Sequence, residues 1–224
     1  LVARRRKVEQ TLNELAIRPD DLEGIAITNA KETDNLAAYS DFLYKRLQRQ
    51  GHLKRDCERM VGIDRNIFAA CMLAFGHGDT MVTGLTRNYH TALNDVRRVI
   101  DTRPHEVIFG LNMMIVRGRT LFIADTAVHE RPSPNDVAHI AIAAAAAVRR
   151  LGHEPKVALL SYSNFGNPPG VVAEVMREAK RILDGSADKG TINFEFDGEM
   201  GVDVALATDR DRIYPFCRLS GPAN

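Results

Sequence analysis

The chain has 224 residues, of which 45% are hydrophobic and 26% are charged, and its formal net charge is +1 at pH 7. This composition is typical of a soluble globular protein, and the small net charge gives no overall field that would attract nucleic acid or a membrane surface. The length allows one large domain or two small α/β lobes.

The cysteines, histidines and apolar runs exclude several further classes of protein. Cys57, Cys71 and Cys217 form no CxxC pair, and the histidines form no HxH or HxxxH pair, so we expect neither a disulfide framework nor a metal site. The longest apolar run, 140–148, is too short to cross a bilayer, and no signal peptide is visible. These features favour a reduced, cytoplasmic setting.

Apolar periodicity predicts mostly helices in the first hundred residues. The predicted helices cover residues 2–16, 33–50, 54–61, 65–75 and 89–100. A turn is predicted around Pro19, and short strands are predicted at 24–28 and 79–83. Asn88 and Tyr89 follow the loop that begins at Gly84 and are candidate ligand contacts, although a helix cap is an equally good interpretation of Asn88.

The remainder of the chain alternates between strand and helix patterns, which indicates an α/β fold with largely parallel sheets. The predicted strands cover 107–116, 120–124, 157–160 and 192–196, and the predicted helices cover 134–151, 168–183 and 202–207. The first two strands flank a turn at 117–119 and should form a hairpin. Ser133 and Asp136 are expected to cap the helix that follows.

The helix predicted at 134–151 is unusually rich in alanine. It is interpreted either as a tightly buried core helix or as a subunit interface. In the second case, the chain would form a homodimer or a larger even-numbered assembly through a self-complementary patch. The small apolar residues of that patch are Ala138, Ala141, Ile142, Ala145 and Val148.

The most informative stretch is the strand end at 156–170, with the sequence K-V-A-L-L-S-Y-S-N-F-G-N-P-P-G. An apolar run ends abruptly at polar residues, and ligands of open α/β sheets bind at the carboxyl ends of strands. The next helix would offer backbone N–H groups to an anion. An ordinary strand–loop–helix connection is the alternative. The ligand-binding candidates in this loop are Ser161, Ser163, Asn164, Phe165 and Gly166.

Two acidic positions complete the candidate ligand site. Asp125 ends a predicted strand and could accept a hydrogen bond from a ligand or cap a turn. Asp203 belongs with Asp197 and Glu199 to an acidic group that is more typical of a helix start than of a general base. No pair of residues is specific enough to name a nucleophile, so no catalytic residue is assigned. A Rossmann NAD(P) domain is disfavoured because no GxGxxG follows a predicted strand.

Four motifs in order resemble the phosphate acetyl/butyryltransferase family. They are G-H-G-D-T-M-V-T-G at 76–84, F-I-A-D-T-A-V-H-E-R-P-S-P at 122–134, the strand and loop at 154–166, and D-G-E-M-G-V-D-V-A-L at 197–206. The S-N-F-G form and the methionine after D-G-E are similar to the C-terminal transferase-like domain of bacterial NADP-dependent malic enzymes. The resemblance covers most of the chain.

The resemblance implies a fold of two α/β/α lobes, like isocitrate and isopropylmalate dehydrogenases, with the ligand between them. Lobe one would comprise about 1–103 plus the C-terminal end, and lobe two about 104–200. The sheet of the terminal lobe is expected to be incomplete, because the family's first strand and its C-terminal serine–arginine segment are absent from the sequence. Family enzymes move an acetyl group between CoA and phosphate.

The malic-enzyme branch implies a regulatory domain that binds acetyl-CoA or a related acyl-CoA. The catalytic domain, with its NADP and divalent metal, would lie elsewhere in the same chain and decarboxylate malate to pyruvate. Asn94 stands where free-standing transferases carry an arginine, which weakens the transferase interpretation. An active phosphate acetyltransferase is the alternative, and an assembly domain with a vestigial site is a third hypothesis.

Overall fold

The computed structural model describes residues 1–18, 21 and 23–224, so the turn predicted around Pro19 lies outside the described residues. The chain divides into two compact units, Leu1–Asp101 and Thr102–Asn224. Residues 201–224 belong to the second unit, although the family resemblance implied that the C-terminal end belongs to the first lobe. The reason is local: the backbone of Asn224 donates to Lys156, and that of Ala223 donates to Ala205.

The first unit is built from helices. They are α1 (Arg5–Glu14), α2 (Leu36–Leu47), α3 (Lys54–Ile63), α4 (Arg65–Ala74) and α5 (Tyr89–Arg97), with a 3₁₀ turn at Gln48–Gln50. Gly51 ends that turn with a φ of 88°, a left-handed conformation that favours glycine. The Asp64 side chain caps α4 by accepting from the Asn66 and Ile67 N–H groups. The core of the unit includes Tyr39, Leu43, Val61, Ile67 and Phe68.

The two strands predicted in the first unit are wrong. Within 24–28, only Thr28 forms an isolated bridge, with Val2, and 79–83 is irregular. The physical reason is that a strand needs a partner for its backbone groups. In the described part of the first unit, no continuous strand lies beside either segment to supply a hydrogen-bond ladder.

The second unit contains all the regular strands that the structure describes. Its elements are β1 (Leu111–Val116), β2 (Arg119–Ala124), α6 (Pro134–Arg150), β3 (Lys156–Leu160), α7 (Val171–Asp188), β4 (Glu195–Met200) and α8 (Val202–Leu206), followed by a 3₁₀ turn at Arg210–Arg212. The predicted hairpin is confirmed: β1 and β2 are antiparallel, and Arg117 and Gly118 turn between them at φ 50° and 74°. Two consecutive positive φ values are characteristic of the type I′ turn that joins tight hairpins. Ser133 and Asp136 cap α6 reciprocally, as expected.

The predicted β3 is confirmed, and it pairs in parallel with β4. The position predicted for β4 is wrong, because the strand begins at Glu195 and continues to Met200, through residues expected to follow it. Pairing with β3 decides this: Ala158 lies opposite Asp197 and Leu159 opposite Gly198. The prediction of largely parallel sheets is also incorrect for the described residues, which form one antiparallel and one parallel pair of strands.

The alanine stripe of α6 lies inside the chain. Ala138, Ala141, Ala145 and Val148 are all buried. Ala138 and Ala141 join a core with residues of β3, β4 and α7, namely Leu159, Phe196, Ala179 and Leu183. The stripe is therefore buried within the chain, with Ala138 and Ala141 in a core shared with β3 and α7, and a two-fold contact through α6 remains a prediction.

Long apolar helices of the kind that cross a bilayer are not found among the described residues.

Candidate functional site

The strand-end loop, residues 161–166, leaves β3 and folds over the end of β4. The Ser161 N–H donates to the carbonyl of Met200 at 2.9 Å and thereby continues the β3–β4 ladder by one residue. The Phe165 N–H then donates to the carbonyl of Glu199 at 2.8 Å. Both ends of the loop are therefore attached to the same stretch of β4.

A buried carboxylate lies beneath the loop. Glu199 has no exposed surface, and its Oε1 accepts from Ser163 Oγ at 2.9 Å, from Gly166 N at 2.7 Å and from Arg177 Nη1 at 3.0 Å. Arg177 belongs to α7, so one oxygen atom joins the loop, β4 and α7. The other oxygen, Oε2, is buried and has no partner among the described residues.

The predicted loop residues divide into supporting and exposed groups. Ser163 is fully buried, and its hydroxyl donates a hydrogen bond to Glu199. Contact between Ser163 and a ligand remains a prediction. Ser161, Asn164, Phe165 and Gly166 are partly exposed. The Ser161 hydroxyl accepts only a long hydrogen bond, 3.4 Å, from the Ser163 N–H. Of the two serine hydroxyls in the loop, that of Ser161 is therefore the better placed to meet a ligand.

Phe165 packs within the protein through its ring. Its φ is 50°, in the left-handed region that non-glycine residues seldom adopt. The ring centroid lies 5.1 Å from that of Tyr214 and 5.0 Å from that of Phe216, the latter in an edge-to-face arrangement. Phe216 itself is exposed. The C-terminal segment thus extends the surface of the loop with aromatic rings.

Asn164 and Asp203 meet at Gly201. Asn164 Oδ1 accepts from the Gly201 N–H at 2.7 Å. A Cβ atom at Gly201 would lie only 2.5 Å from Asp203 Oδ1 and 3.4 Å from Asn164 Oδ1, so a larger residue there would displace the Asp203 carboxylate. Asp203 is exposed in the first turn of α8. The structure therefore brings two of the predicted site residues together.

Asp125 is surrounded by donors from its own turn and from Gly110. Its Oδ1 accepts from the N–H groups of Gly110, Ala127 and Val128, and its Oδ2 accepts from the N–H and ring Nδ1 of His129. Burial raises the pKa of this carboxyl, but the hydrogen bonds outweigh it and lower the pKa to about 2. The arrangement matches the turn-capping alternative, and the ligand contact of Asp125 remains a prediction.

Replacing Asp125 with asparagine should lower the free energy of unfolding at neutral pH. A carboxyl whose pKa is depressed from 3.8 to about 2 stabilises the fold above its ordinary pKa, and the stability is lost as the pH falls towards 2. After allowance for solvent screening, we expect at most about 2 kcal/mol. Urea denaturation from pH 7 to pH 2 measures the difference, with Asp209→Asn at an exposed position as the control. A difference between wild type and Asp125→Asn that persists unchanged at pH 2 would contradict this account.

Asn88 and Tyr89 lie in the first unit. Asn88 Oδ1 accepts from the His90 N–H at 2.9 Å and caps α5, as its alternative interpretation predicted. Tyr89 is exposed. The preceding Arg87 binds Asp64 at 2.5 Å and Asp95 at 2.8 Å, so the start of α5 is fixed to the start of α4. Whether Asn88 and Tyr89 contact a ligand remains a prediction.

Sequence reasoning missed the parts that Glu199 and Arg177 play under the loop. From the sequence, Glu199 belongs to a cluster typical of a helix start, and Arg177 is one of several charges on an amphipathic helix. One signal was present, because Arg177 follows Ala173 by four residues and so lies on the same face of α7 as that small, buried residue. The pairing of β4 with β3, which only the structure reveals, places Glu199 under the loop.

The described residues contain no group of three or more His, Cys, Asp or Glu side chains that could hold a metal ion. All three cysteines are free thiols. Burial raises the pKa of the Cys71 thiol to about 12, so this cysteine is unreactive. The groups that the loop and α8 present are hydroxyl, amide and backbone groups together with the exposed carboxylate of Asp203.

Comparisons with known proteins identify the family. The family model for phosphate acetyl/butaryl transferase matches residues 1–224. The chain is 51% identical over 219 residues to an NADP-dependent malic enzyme of Rhizobium meliloti, covering 96% of this chain and 28% of that protein. It is 43% identical to a probable NADP-dependent malic enzyme of Rickettsia prowazekii, covering 100% of this chain and 30% of that protein. The chain thus spans less than a third of the length of these relatives.

Two solved phosphotransacetylase structures have a fold similar to that of this chain. A phosphotransacetylase from Streptococcus pyogenes matches with a TM-score of 0.83 at 24% identity, over 100% of this chain and 66% of that chain. The EutD phosphotransacetylase from Staphylococcus aureus matches with a TM-score of 0.81 at 21% identity, over 100% and 67%. The mixed α/β fold and the full-length family match lead to one conclusion: the chain belongs to the phosphate acetyl/butaryl transferase family, in a form similar to the transferase-like domain of NADP-dependent malic enzymes.

Proposed function

We propose that this chain is the regulatory acyl-CoA-binding domain of a malic enzyme, with acetyl-CoA as its effector and without transferase activity of its own. The catalytic domain in the same polypeptide would decarboxylate malate to pyruvate with NADP and a divalent metal. The similarity to malic enzymes over 96% and 100% of the chain supports this assignment.

The observation that carries the proposal is the way in which the carboxylates near the strand-end loop are hydrogen-bonded. Oε1 of the buried Glu199 is engaged by three donors, and Asp125 is saturated by Gly110 and by its own turn. Asp203 is exposed at the start of α8. The described part of the loop therefore offers Ser161 and backbone groups for binding, while Oε1 of the buried carboxylate beneath it supports the loop itself. Such a site suits recognition of a ligand better than acyl transfer.

We propose that the domain has the two-lobed α/β/α fold of isocitrate dehydrogenase-like proteins. We further propose that it works in the cytoplasm, in a homodimer or larger even-numbered assembly.

Calorimetry with acetyl-CoA on the full-length protein tests the binding. Two lost hydrogen bonds of about 1 kcal/mol each should make a Ser161→Ala, Asn164→Ala double variant at least about 10-fold weaker than wild type. Thr191→Ala is the control, since it removes a hydroxyl beyond the far end of α7, which is ~27 Å long. Equal affinities for the double variant and wild type would remove the loop from the site.

An active phosphate acetyltransferase is the second candidate, favoured by the family match itself. Asn94, exposed near the end of α5, lacks the charge that free-standing transferases use for phosphate. CoA-dependent release of phosphate from acetyl phosphate separates the two functions. Turnover in the ordinary enzyme range, roughly 1–1000 per second, would establish the second candidate in place of the first.

A further inference from the structure

We propose that Glu199 is the positioning residue of the strand-end loop, and that its ion pair with Arg177 holds the ligand-binding groups of the loop in a fixed position relative to α7. The inference rests on the proposed function, because it concerns how the loop meets acyl-CoA. It assigns no contact between Glu199 and the ligand.

The contacts of Glu199 are concentrated on the loop. Its Oε1 accepts from the side chain of Ser163 and from the backbone of Gly166, so the loop bends around a single oxygen atom. Its own carbonyl accepts from the Phe165 N–H. Three of the five predicted loop residues are therefore fixed by one residue of β4.

The charge of Glu199 is balanced inside the protein. A carboxylate without exposed surface is strongly unfavourable unless it is paired and hydrogen-bonded. Arg177 supplies the pairing charge at 3.0 Å, and it also binds Glu174 at 2.5 Å. Since Arg177 is 26% exposed and Glu199 is fully buried, the guanidinium connects the carboxylate under the loop to the surface of α7. Charge-assisted hydrogen bonds of this kind are stronger than neutral ones.

The loop needs such a restraint because its backbone is unusual. Phe165 and Gly166 have φ values of 50° and 100°. The left-handed conformation at a non-glycine residue such as Phe165 is unfavourable and persists only where the surroundings impose it. The hydrogen bonds from Phe165 and Gly166 to Glu199 impose it here. Without them, the exposed groups of the loop would move, and a displacement of about 1 Å can cost about 100-fold in function.

Glu199→Gln is the direct test, because glutamine keeps the shape and one acceptor oxygen but removes the charge. In the full-length protein, we expect acetyl-CoA affinity to fall about 10- to 100-fold. Arg177→Gln should have a similar effect. Arg177→Lys should recover most of the affinity, because the contact with Glu199 uses a single nitrogen atom and a point charge can replace it.

Amide hydrogen exchange separates positioning from general stability. In Glu199→Gln, the Phe165 and Gly166 amides should exchange faster, whereas the amides of Ala179 and Leu183 in α7 keep their protection. The control is Glu178→Gln, which removes a carboxylate of α7 that pairs with Arg181 rather than with Arg177. It should leave both affinity and exchange unchanged.

The possible outcomes distinguish failure of the positioning role of Glu199 from failure of the proposed function. Wild-type affinity in Glu199→Gln, or loss of protection throughout α7, would overturn the positioning role and leave the proposed function standing. Absence of acetyl-CoA binding by the wild type would overturn the proposed function. If the wild type does not bind acetyl-CoA, amide hydrogen exchange still tests the positioning role. An unchanged exchange rate of the Gly166 amide in Glu199→Gln would then overturn that role, and faster exchange confined to the loop would support it.

Discussion

Replacing Ala138 with glutamate is expected to unfold the second unit of the protein. Ala138 is 1% exposed and packs in α6 against the core formed by β3, β4 and α7. A carboxylate at this position would be buried without a partner, which costs several kcal/mol. Single domains are stable by only about 5–15 kcal/mol in total. The loss should be visible as reduced helical circular dichroism and a lower midpoint of urea denaturation.

The matched control is Ala146→Glu on the same helix. Ala146 is exposed, so its substitution should change the free energy of unfolding by no more than about 0.5 kcal/mol. The pair also decides between the two interpretations of the alanine-rich helix. If Ala138→Glu folded normally and only dissociated a dimer, as seen by light scattering, the subunit-interface interpretation would be correct after all.

Replacing Gly198 with alanine is expected to separate β4 from β3. Gly198 has a φ of 144°, and a Cβ atom there would lie 2.7 Å from the carbonyl oxygen and 2.9 Å from the Cβ of Leu159. Both atoms belong to the neighbouring strand, so neither can move aside without breaking the pairing. We expect a loss of roughly 2–5 kcal/mol from overpacking and backbone strain together. Chemical denaturation measures it.

The same substitution should weaken acyl-CoA binding, because Gly198 precedes Glu199 and a shift of β4 would move the carboxylate under the loop. Gly185→Ala is the control: no atom lies within 4 Å of a Cβ at Gly185 in α7, and alanine favours a helix over glycine by up to about 1 kcal/mol. It should be neutral or stabilising. Similar losses in both variants would indicate a general intolerance of the unit to larger residues rather than a clash at Leu159.

Much of the local structure is determined by the sequence itself. The start of α6 follows from Ser133 and Asp136, which satisfy each other's backbone groups within one turn. The hairpin follows from Arg117 and Gly118, and β3 follows from an apolar run that ends at Ser161. These signals are carried by neighbouring residues, so they act before the rest of the chain has folded. The family resemblance was likewise carried by short strings and is confirmed over residues 1–224.

The tertiary structure alone decided the features that depend on distant partners. The start of β4 was misplaced because strand pairing requires a partner, here β3, about forty residues earlier in the chain. The strands predicted at 24–28 and 79–83 did not form, since the described first unit offers them no continuous ladder. The burial of the stripe around Ala138 depends on β3 and α7, which pack against it.

The candidate site shows the same division. The sequence alone determined which residues form the strand-end loop, because the polar run after β3 is contiguous. Only the tertiary structure decided that Ser163 supports the loop from within, that Gly110 donates to Asp125, and that Glu199 lies beneath Gly166. The physical reason is that burial and hydrogen bonding are properties of the neighbours in space, and the partner of Ser163 is thirty-six positions away in the chain.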